Sequence, residues 1–103
     1  MVKAIIIEDE ISAQNKLNQL LTNHYSEKIE LIGTCTSVKK GIEIINNLKP
    51  ELIFLDIQLD DGEGFEILDN VDNSNFEVIF TTGLRNSKEK AMDYFAFYYL
   101  NKP

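Results

Sequence analysis

Runs of apolar residues alternate along the chain with segments in which apolar and polar positions recur at helical spacing. The first run, Ala4–Ile7, is short, continuous and rich in β-branched residues, which is typical of a strand buried on both faces. After it, apolar residues recur at helical spacing with Asn and Lys between them, namely Ile11, Leu17, Leu20 and Leu21. This pattern predicts a strand followed by a helix.

The same alternation continues down the chain. Further strands are predicted at 29–36, 52–55, 76–81 and 97–100. Further helices are predicted at 38–48 and, as short helices, from 65 onward and at 87–95. Ser37 is the expected N-cap of the second helix, and Pro50 ends that helix. Five strands and four helices in this order are typical of βαβ units around a parallel sheet, so we predict an α/β fold.

The fifth predicted strand has no helix after it. A doubly wound sheet needs helices over both faces, and four helices leave the layer after that strand uncovered. We therefore expect the covering helix to lie beyond residue 103. Residues 1–103 are then expected to be the N-terminal part of a longer protein.

Composition narrows the class of protein. A chain of 103 residues forms one domain, and 44% hydrophobic residues suffice for one buried core. Seventeen Asp and Glu against ten Lys and Arg give a net charge of −7, which argues against direct binding to the phosphates of DNA. The single cysteine, Cys35, cannot form an internal disulfide, and the longest apolar run is far too short to cross a bilayer. We expect a cytoplasmic protein that does not enter a membrane.

Chemically useful side chains follow the predicted strands. In an open parallel sheet the functional site lies at the carboxyl ends of the strands, so residues that follow different strands converge there. These residues are Glu8, Asp9 and Glu10 after the first strand, Asp56 after the third, Thr81 and Thr82 at the fourth, and Lys102 and Pro103 after the fifth. Acids, a hydroxyl group and an ammonium group are thus predicted at one edge of the sheet.

A cluster of carboxylates favours a bound cation. Two carboxylates about 4 Å apart repel by roughly 4 kcal/mol at an effective dielectric constant of about 20, so Glu8, Asp9 and Asp56 need a divalent metal among them. All-oxygen ligands suit Mg²⁺, whereas zinc prefers His and Cys. A carboxylate beside Mg²⁺ can attack a phosphoryl group, and Asp56, at the end of the central strand, is the candidate nucleophile. Lys102 is the candidate ammonium partner.

In its motifs the chain resembles the response-regulator receiver domains of two-component signalling. The resemblance covers the whole chain and depends on four segments in order: Ile5–Glu10; Leu52–Leu59 followed by Asp61-Gly62; Phe80–Gly83; and Tyr99–Pro103. It implies a CheY-like, flavodoxin-like doubly wound sheet of five parallel strands in the order 2-1-3-4-5, here without the last helix. The first segment with Ala13 and Leu17, and Phe80-Thr81-Thr82 with the last segment, look most like receivers of the LytR/AlgR type, which usually precede a LytTR DNA-binding domain.

The resemblance also implies a role for individual residues near the metal. Asp56 corresponds to the phosphoacceptor, Glu8 and Asp9 to the acidic pair, and the backbone carbonyl of Gln58 to a further Mg²⁺ ligand. Asp9 is then the direct ligand. Glu8 stands where Asp is commoner in the family. Because its side chain is longer, both a direct contact with Mg²⁺ and a contact through water are compatible with the resemblance.

Three further residues match the switch of the family. Thr82 corresponds to the switch hydroxyl, Tyr99 to the switch aromatic residue and Lys102 to the lysine that contacts the phosphoryl group. The resemblance implies a cis peptide bond before Pro103. A core or edge aromatic residue is an equally good interpretation of Tyr99.

These expectations define a signalling switch and not a metabolic enzyme. A sensor histidine kinase is the expected phosphodonor, the helix 4/strand 5 face a possible homodimer contact, and transcription the expected output, with DNA bound only by a C-terminal domain. Two alternatives remain open: a phosphorylation-independent interaction module and an acyl-phosphate phosphatase. Calcium and nucleotide binding are disfavoured, because Asp61 stands where a calcium loop needs Gly and no strand is followed by a glycine-rich phosphate loop.

Overall fold

Five parallel strands form the central sheet. The structure, a computed structural model, describes residues 1–72, 74–82 and 98–101, and of Thr82 and 98–101 only the backbone. The elements in chain order are β1 (Val2–Ile7), α1 (Ile11–Tyr25), β2 (Ile29–Cys35), α2 (Val38–Leu48), β3 (Leu52–Asp56), β4 (Gln58–Leu59), β5 (Gly62–Glu63), α3 (Phe65–Asp69), β6 (Glu77–Thr82) and β7 (Tyr98–Asn101). The helix predicted at 87–95 lies outside the described residues.

The strand order of this sheet is β2-β1-β3-β6-β7. Since β4 and β5 form a separate two-stranded sheet, this order corresponds to 2-1-3-4-5 for the five predicted strands, and the CheY-like α/β prediction is confirmed. β1 and β3 are neighbours, with Ile7 beside Leu55, and β3 pairs with β6 up to Asp56 and Thr81. The ends of β1, β3 and β6 therefore lie side by side.

The apolar strands bury side chains on both faces of the sheet. In β1 and β3, odd-numbered positions such as Ile5, Ile53 and Leu55 pack with α2 and α3, whereas Ala4, Ile6 and Phe54 pack with Leu21 of α1. Phe80 of β6 meets Phe65 of α3 with ring centroids 5.1 Å apart. This two-sided burial explains why the strands read as continuous apolar runs rather than alternating ones.

Helix α2 begins and ends as predicted. The Ser37 hydroxyl accepts a hydrogen bond from the N–H of Lys40, which confirms Ser37 as the N-cap. The helix ends at Leu48, and Lys49 adopts a left-handed conformation with φ of 50° before Pro50. Gly41 allows close packing, because a Cβ there would lie 2.6 Å from Ile67 of α3.

One element was not predicted from the sequence. The segment after β3 contains the antiparallel hairpin of β4 and β5, whereas α3 begins at Phe65 as predicted and is five residues long. In α1, Ile11 is 57% exposed and Leu20 49% exposed, and Leu21 is the buried residue of the helix. The apolar positions of α1 therefore mark its buried face only in part. Within the described segments, no helix combines the length and the apolar character that crossing a bilayer requires.

Candidate metal centre

Three carboxylates meet at the carboxyl edge of the sheet. Glu8 and Asp9 directly follow β1, and Asp56 ends β3, the neighbouring strand. One oxygen from each of the three side chains lies within 4.8 Å of the others. Glu8 and Asp56 are each only 3% exposed, and Asp9 is half-buried. The strand register thus concentrates up to three negative charges at one largely buried point.

This donor set fits Mg²⁺. Two unit charges 4.8 Å apart repel by about 3.5 kcal/mol at an effective dielectric constant of about 20, so a divalent cation among the oxygens relieves a substantial repulsion. The grouped ligands are carboxylates with neither His nor Cys among them, which favours a hard cation over zinc. Mg²⁺ keeps several waters and takes one or two carboxylates, so three acids at this spacing are sufficient.

Glu8 is held by the backbone around it. Its N–H donates to the carbonyl of Cys35, the last residue of β2, at 3.0 Å. Its Oε2 accepts a hydrogen bond from the N–H of Glu10 at 3.1 Å. The carboxylate of Glu8 is therefore oriented by the turn between β1 and α1, which also carries Asp9.

The hairpin after β3 folds back on Asp56. The N–H of Gly64 donates to the carbonyl of Ile57 at 2.6 Å. A Cβ at position 64 would collide with the backbone carbonyl of Asp56 and lie 3.0 Å from the Leu55 side chain. Only glycine permits this approach, so Gly64 fixes the path of the chain that leaves the central strand.

Asp61 connects the same hairpin to helix α2. Its Oδ1 accepts a hydrogen bond from the N–H of Val38 at 2.6 Å, and its Oδ2 accepts one from Lys39 at 3.1 Å. With the Ser37 hydroxyl bonded to Lys40, the N–H groups of the first three residues of α2 are all satisfied. These two hydrogen bonds hold the pKa of the Asp61 carboxyl below its usual value, and the bond from Val38 has the larger effect.

Of the other predicted site residues, the structure describes Gln58 and the backbone of Thr82 and Tyr99. Gln58 begins β4 with an exposed side chain, and a role for its carbonyl stays a prediction. Thr82 is the last residue of β6 and pairs with Asn101, while Tyr99 pairs with Phe80; only their backbone is described. Lys102 and the predicted cis bond before Pro103 lie outside the described residues.

Sequence reasoning missed three residues that support the site: Gln14, Asp61 and Gly64. The Gln14 amide donates to the carbonyls of Glu8 and Cys35, a contact that no short sequence pattern announces. Asp61 is part of the family motif, but its hydrogen bonds to α2 were not predicted, because the donors lie 22 and 23 residues earlier in the chain. For Gly64 a signal existed, namely a glycine directly before a helix and close after the strand that ends in Asp56.

Comparison with known proteins identifies the family to which this chain is similar. The family model described as the response regulator receiver domain matches residues 4–103. An uncharacterised response regulatory protein of Vibrio cholerae is 38% identical over 104 residues, and the transcriptional regulatory protein BtsR of Escherichia coli K12 is 33% identical over the same length. The match covers 100% of this chain and 43% of each relative, so the chain spans less than half of their length.

Solved structures share the fold. The response regulatory domain of MrkE from Klebsiella pneumoniae is 28% identical with a TM-score of 0.88, covering 98% of this chain and 83% of that one. The response regulator domain of Thermotoga maritima CheB also has a TM-score of 0.88, covering 100% of this chain and 79% of that one, at 18% identity. At that identity the second likeness concerns the fold alone.

Proposed function

Because the chain belongs to the response regulator receiver domain family, we propose that it is a phosphoacceptor switch that takes a phosphoryl group from a sensor histidine kinase onto Asp56. It is a receiver domain of a two-component response regulator, related to transcriptional regulators such as BtsR. Receiver domains are signalling domains and not classical enzymes. The observation that carries the proposal is the grouping of Asp56 with Glu8 and Asp9 within 4.8 Å.

Asp56 is the proposed nucleophile. One of its carboxylate oxygens attacks phosphorus, the bond from phosphorus to the donor nitrogen breaks, and the electron pair leaves with the imidazole of the kinase histidine. The product is an acyl phosphate on Asp56. Asp56 lies at the end of the rigid central strand, and Gly64 packs on its backbone carbonyl. These two features hold the Asp56 carboxylate in position for the attack.

Glu8, Asp9 and Asp56 are the residues that would hold Mg²⁺, with the backbone carbonyl of Gln58 as a proposed fourth ligand. When bound, Mg²⁺ offsets the charge of the carboxylates and of the phosphoryl oxygens. Asp9 is the proposed direct ligand. Glu8 is more buried than Asp9, and the N–H of Glu10 orients its carboxylate. We propose that Glu8 contacts Mg²⁺ either directly or through a water molecule.

The response to phosphorylation is proposed to involve three residues near the ends of β6 and β7. Lys102 contacts the phosphoryl group, Thr82 donates a hydrogen bond to it, and Tyr99 changes position in consequence. This alters the helix 4/strand 5 face, formed by the predicted helix at 87–95 and the fifth strand of the central sheet, β7. That face is the proposed homodimer contact, and its change shifts the population of an output-active form. These roles follow from the family resemblance.

We propose that the switch regulates transcription. In this proposal a further, C-terminal domain binds DNA, and the acidic receiver domain does not. Relatives named as transcriptional regulatory proteins support this, since the chain aligns with 43% of their length. The finer LytR/AlgR assignment is supported by the Ile5–Glu10 and Tyr99–Pro103 segments. We propose a cytoplasmic location, in keeping with a lone free cysteine.

Phosphorylation is tested by intact mass. The wild type, Asp56→Asn and Asp60→Asn are each incubated with acetyl phosphate, with Mg²⁺ or with EDTA. We expect wild type and Asp60→Asn, which removes an exposed carboxylate of the same loop, to gain one phosphoryl group only with Mg²⁺. Asp56→Asn gains none.

Other outcomes separate the alternatives. An unlabelled wild type would identify a phosphorylation-independent module. Repeated turnover of acetyl phosphate, far faster than slow self-dephosphorylation, would indicate a phosphatase. Equal labelling of Asp56→Asn would show that the acceptor is another residue.

A further inference from the structure

The side chain of Gln14 joins three elements beside the acid cluster. It lies in the first turn of α1 and is half-buried. Its Nε2 donates to the carbonyl of Glu8 at 3.3 Å and to the carbonyl of Cys35 at 3.2 Å. The Cys35 carbonyl also accepts the N–H of Glu8. One amide group therefore holds the end of β1, the end of β2 and the start of α1 together.

The backbone of Gln14 acts on the same turn. Its N–H donates to the carbonyl of Glu10 at 3.0 Å, a bond that starts α1. The N–H of Glu10 in turn donates to Oε2 of Glu8. The Gln14 side chain thus fixes the main chain of Glu8. The Gln14 main chain fixes Glu10, whose N–H orients the Glu8 carboxylate.

We infer that Gln14 is a positioning residue for the metal-binding carboxylates, an inference that rests on the proposed function of the site. Asp9 lies between Glu8 and Glu10, so any shift of this turn moves two of the three clustered carboxylates. The turn contains only three residues between β1 and α1, and Gln14 ties it to both flanking elements. Gln14 does not itself contact Mg²⁺ in this role.

The chemistry of this position favours an uncharged amide. Two carbonyl oxygens face Nε2, and an NH₂ group offers one N–H to each of them. Methionine fills a similar volume without a donor, and would leave two carbonyls without this partner. Asparagine keeps the amide but is one methylene shorter, which withdraws the donor from both acceptors.

The test compares Mg²⁺ affinity with stability in four purified proteins. Wild type, Gln14→Met, Gln14→Asn and Gln19→Met are titrated with Mg²⁺ by calorimetry, without a phosphodonor. Their urea unfolding is followed in EDTA. Gln19→Met is the matched control, since Gln19 is an exposed residue of the same helix. Gln14→Asn serves if Gln14→Met does not fold.

We expect Gln14→Met to raise the Kd for Mg²⁺ by roughly tenfold, the lower end of the loss seen when outer-shell partners of a metal site are removed. Gln14→Asn raises it in the same direction, and Gln19→Met leaves it unchanged. A wild-type Kd in either folded Gln14 variant, whatever its urea midpoint, would overturn the inference and leave the proposed function standing. A wild type that binds no Mg²⁺ would overturn both.

Discussion

The carboxylate of Asp61 accepts a hydrogen bond from the N–H of Val38 at 2.6 Å, across 23 residues of chain. This bond joins the hairpin that follows Asp56 to the first turn of α2. The loop beside the candidate nucleophile is therefore fixed at both ends, by the central strand and by a helix on the face of the sheet that buries Phe65 and Phe80. Its position does not depend on local turn preferences alone.

Asp61→Asn should lower stability in a pH-dependent way. The amides of Val38 and Lys39 hold the pKa of Asp61 below its ordinary value, so the ionised carboxylate stabilises the fold. That contribution is complete above the ordinary pKa of about 4 and is lost as pH falls through the lowered folded-state pKa. Urea unfolding from neutral to acidic pH should show a lower midpoint for Asp61→Asn at neutral pH and convergence with wild type in acid.

Asp60→Asn is the matched control for this series, because it removes the neighbouring exposed charge. An Asp60→Asn midpoint that falls as far as that of Asp61→Asn would mean that net charge, and not the two hydrogen bonds, causes the effect.

Gly64→Ala should destabilise the fold and impair phosphorylation. Gly64 has a φ of −56°, which alanine adopts readily, so the cost arises from the collision of the new Cβ with the Asp56 carbonyl. We expect the free energy of unfolding to fall by about 1–3 kcal/mol, as for overpacking in a core. Labelling by acetyl phosphate should slow because Asp56 moves.

Gly33→Ala provides the comparison for Gly64→Ala. A Cβ at Gly33 would lie 3.0 Å from the end of Leu48, a flexible side chain that is 42% exposed and has room to move. Its cost should be clearly smaller in the same denaturation assay. Equal losses in the two variants would contradict a specific clash at Asp56.

Mg²⁺ should stabilise the folded chain through Asp9. A ligand that binds only the folded state adds about 2.7 kcal/mol at one hundred times its Kd. We expect that increment in the wild type by urea unfolding with and without Mg²⁺, and little of it in Asp9→Asn. Glu10→Gln should retain it, because Glu10 is not part of the carboxylate group. Loss of the increment in Glu10→Gln would place the metal elsewhere in the turn.

The Cys35 thiol should react slowly in the folded protein. Burial raises its pKa, with a smaller opposing effect from a hydrogen bond with the backbone of Ser37. Thiolate therefore forms at higher pH than in the unfolded chain. With one cysteine in the sequence, the rate of reaction with a disulfide reagent reports this thiol alone. The native rate should keep rising with pH after the rate in urea has levelled off; coincident profiles would contradict a shielded thiol.

Much of the fold follows from local sequence features. Continuous apolar runs at Ala4–Ile7 and Leu52–Leu55 locate buried parallel strands, and the acids that follow them must then lie at one edge of the sheet. What the sequence did not predict depends on distant partners or short elements. Examples are the bonds of Asp61 to α2 and the β4–β5 hairpin, whose strands have only two residues each. No periodicity develops over two residues.

The described residues fill the two faces of the sheet unequally, and this has a consequence for motion. Among the described residues, the cluster on the α2 and α3 side has thirteen buried members, whereas the cluster on the α1 side has four, of which only Leu21 belongs to α1. Amide hydrogens of α1 should therefore exchange with deuterium through local opening well before those of β1 and β3. Helix α1 starts directly after Glu8–Glu10, the segment that carries two of the clustered carboxylates. Binding of Mg²⁺ there should therefore slow amide exchange most in the first turn of α1.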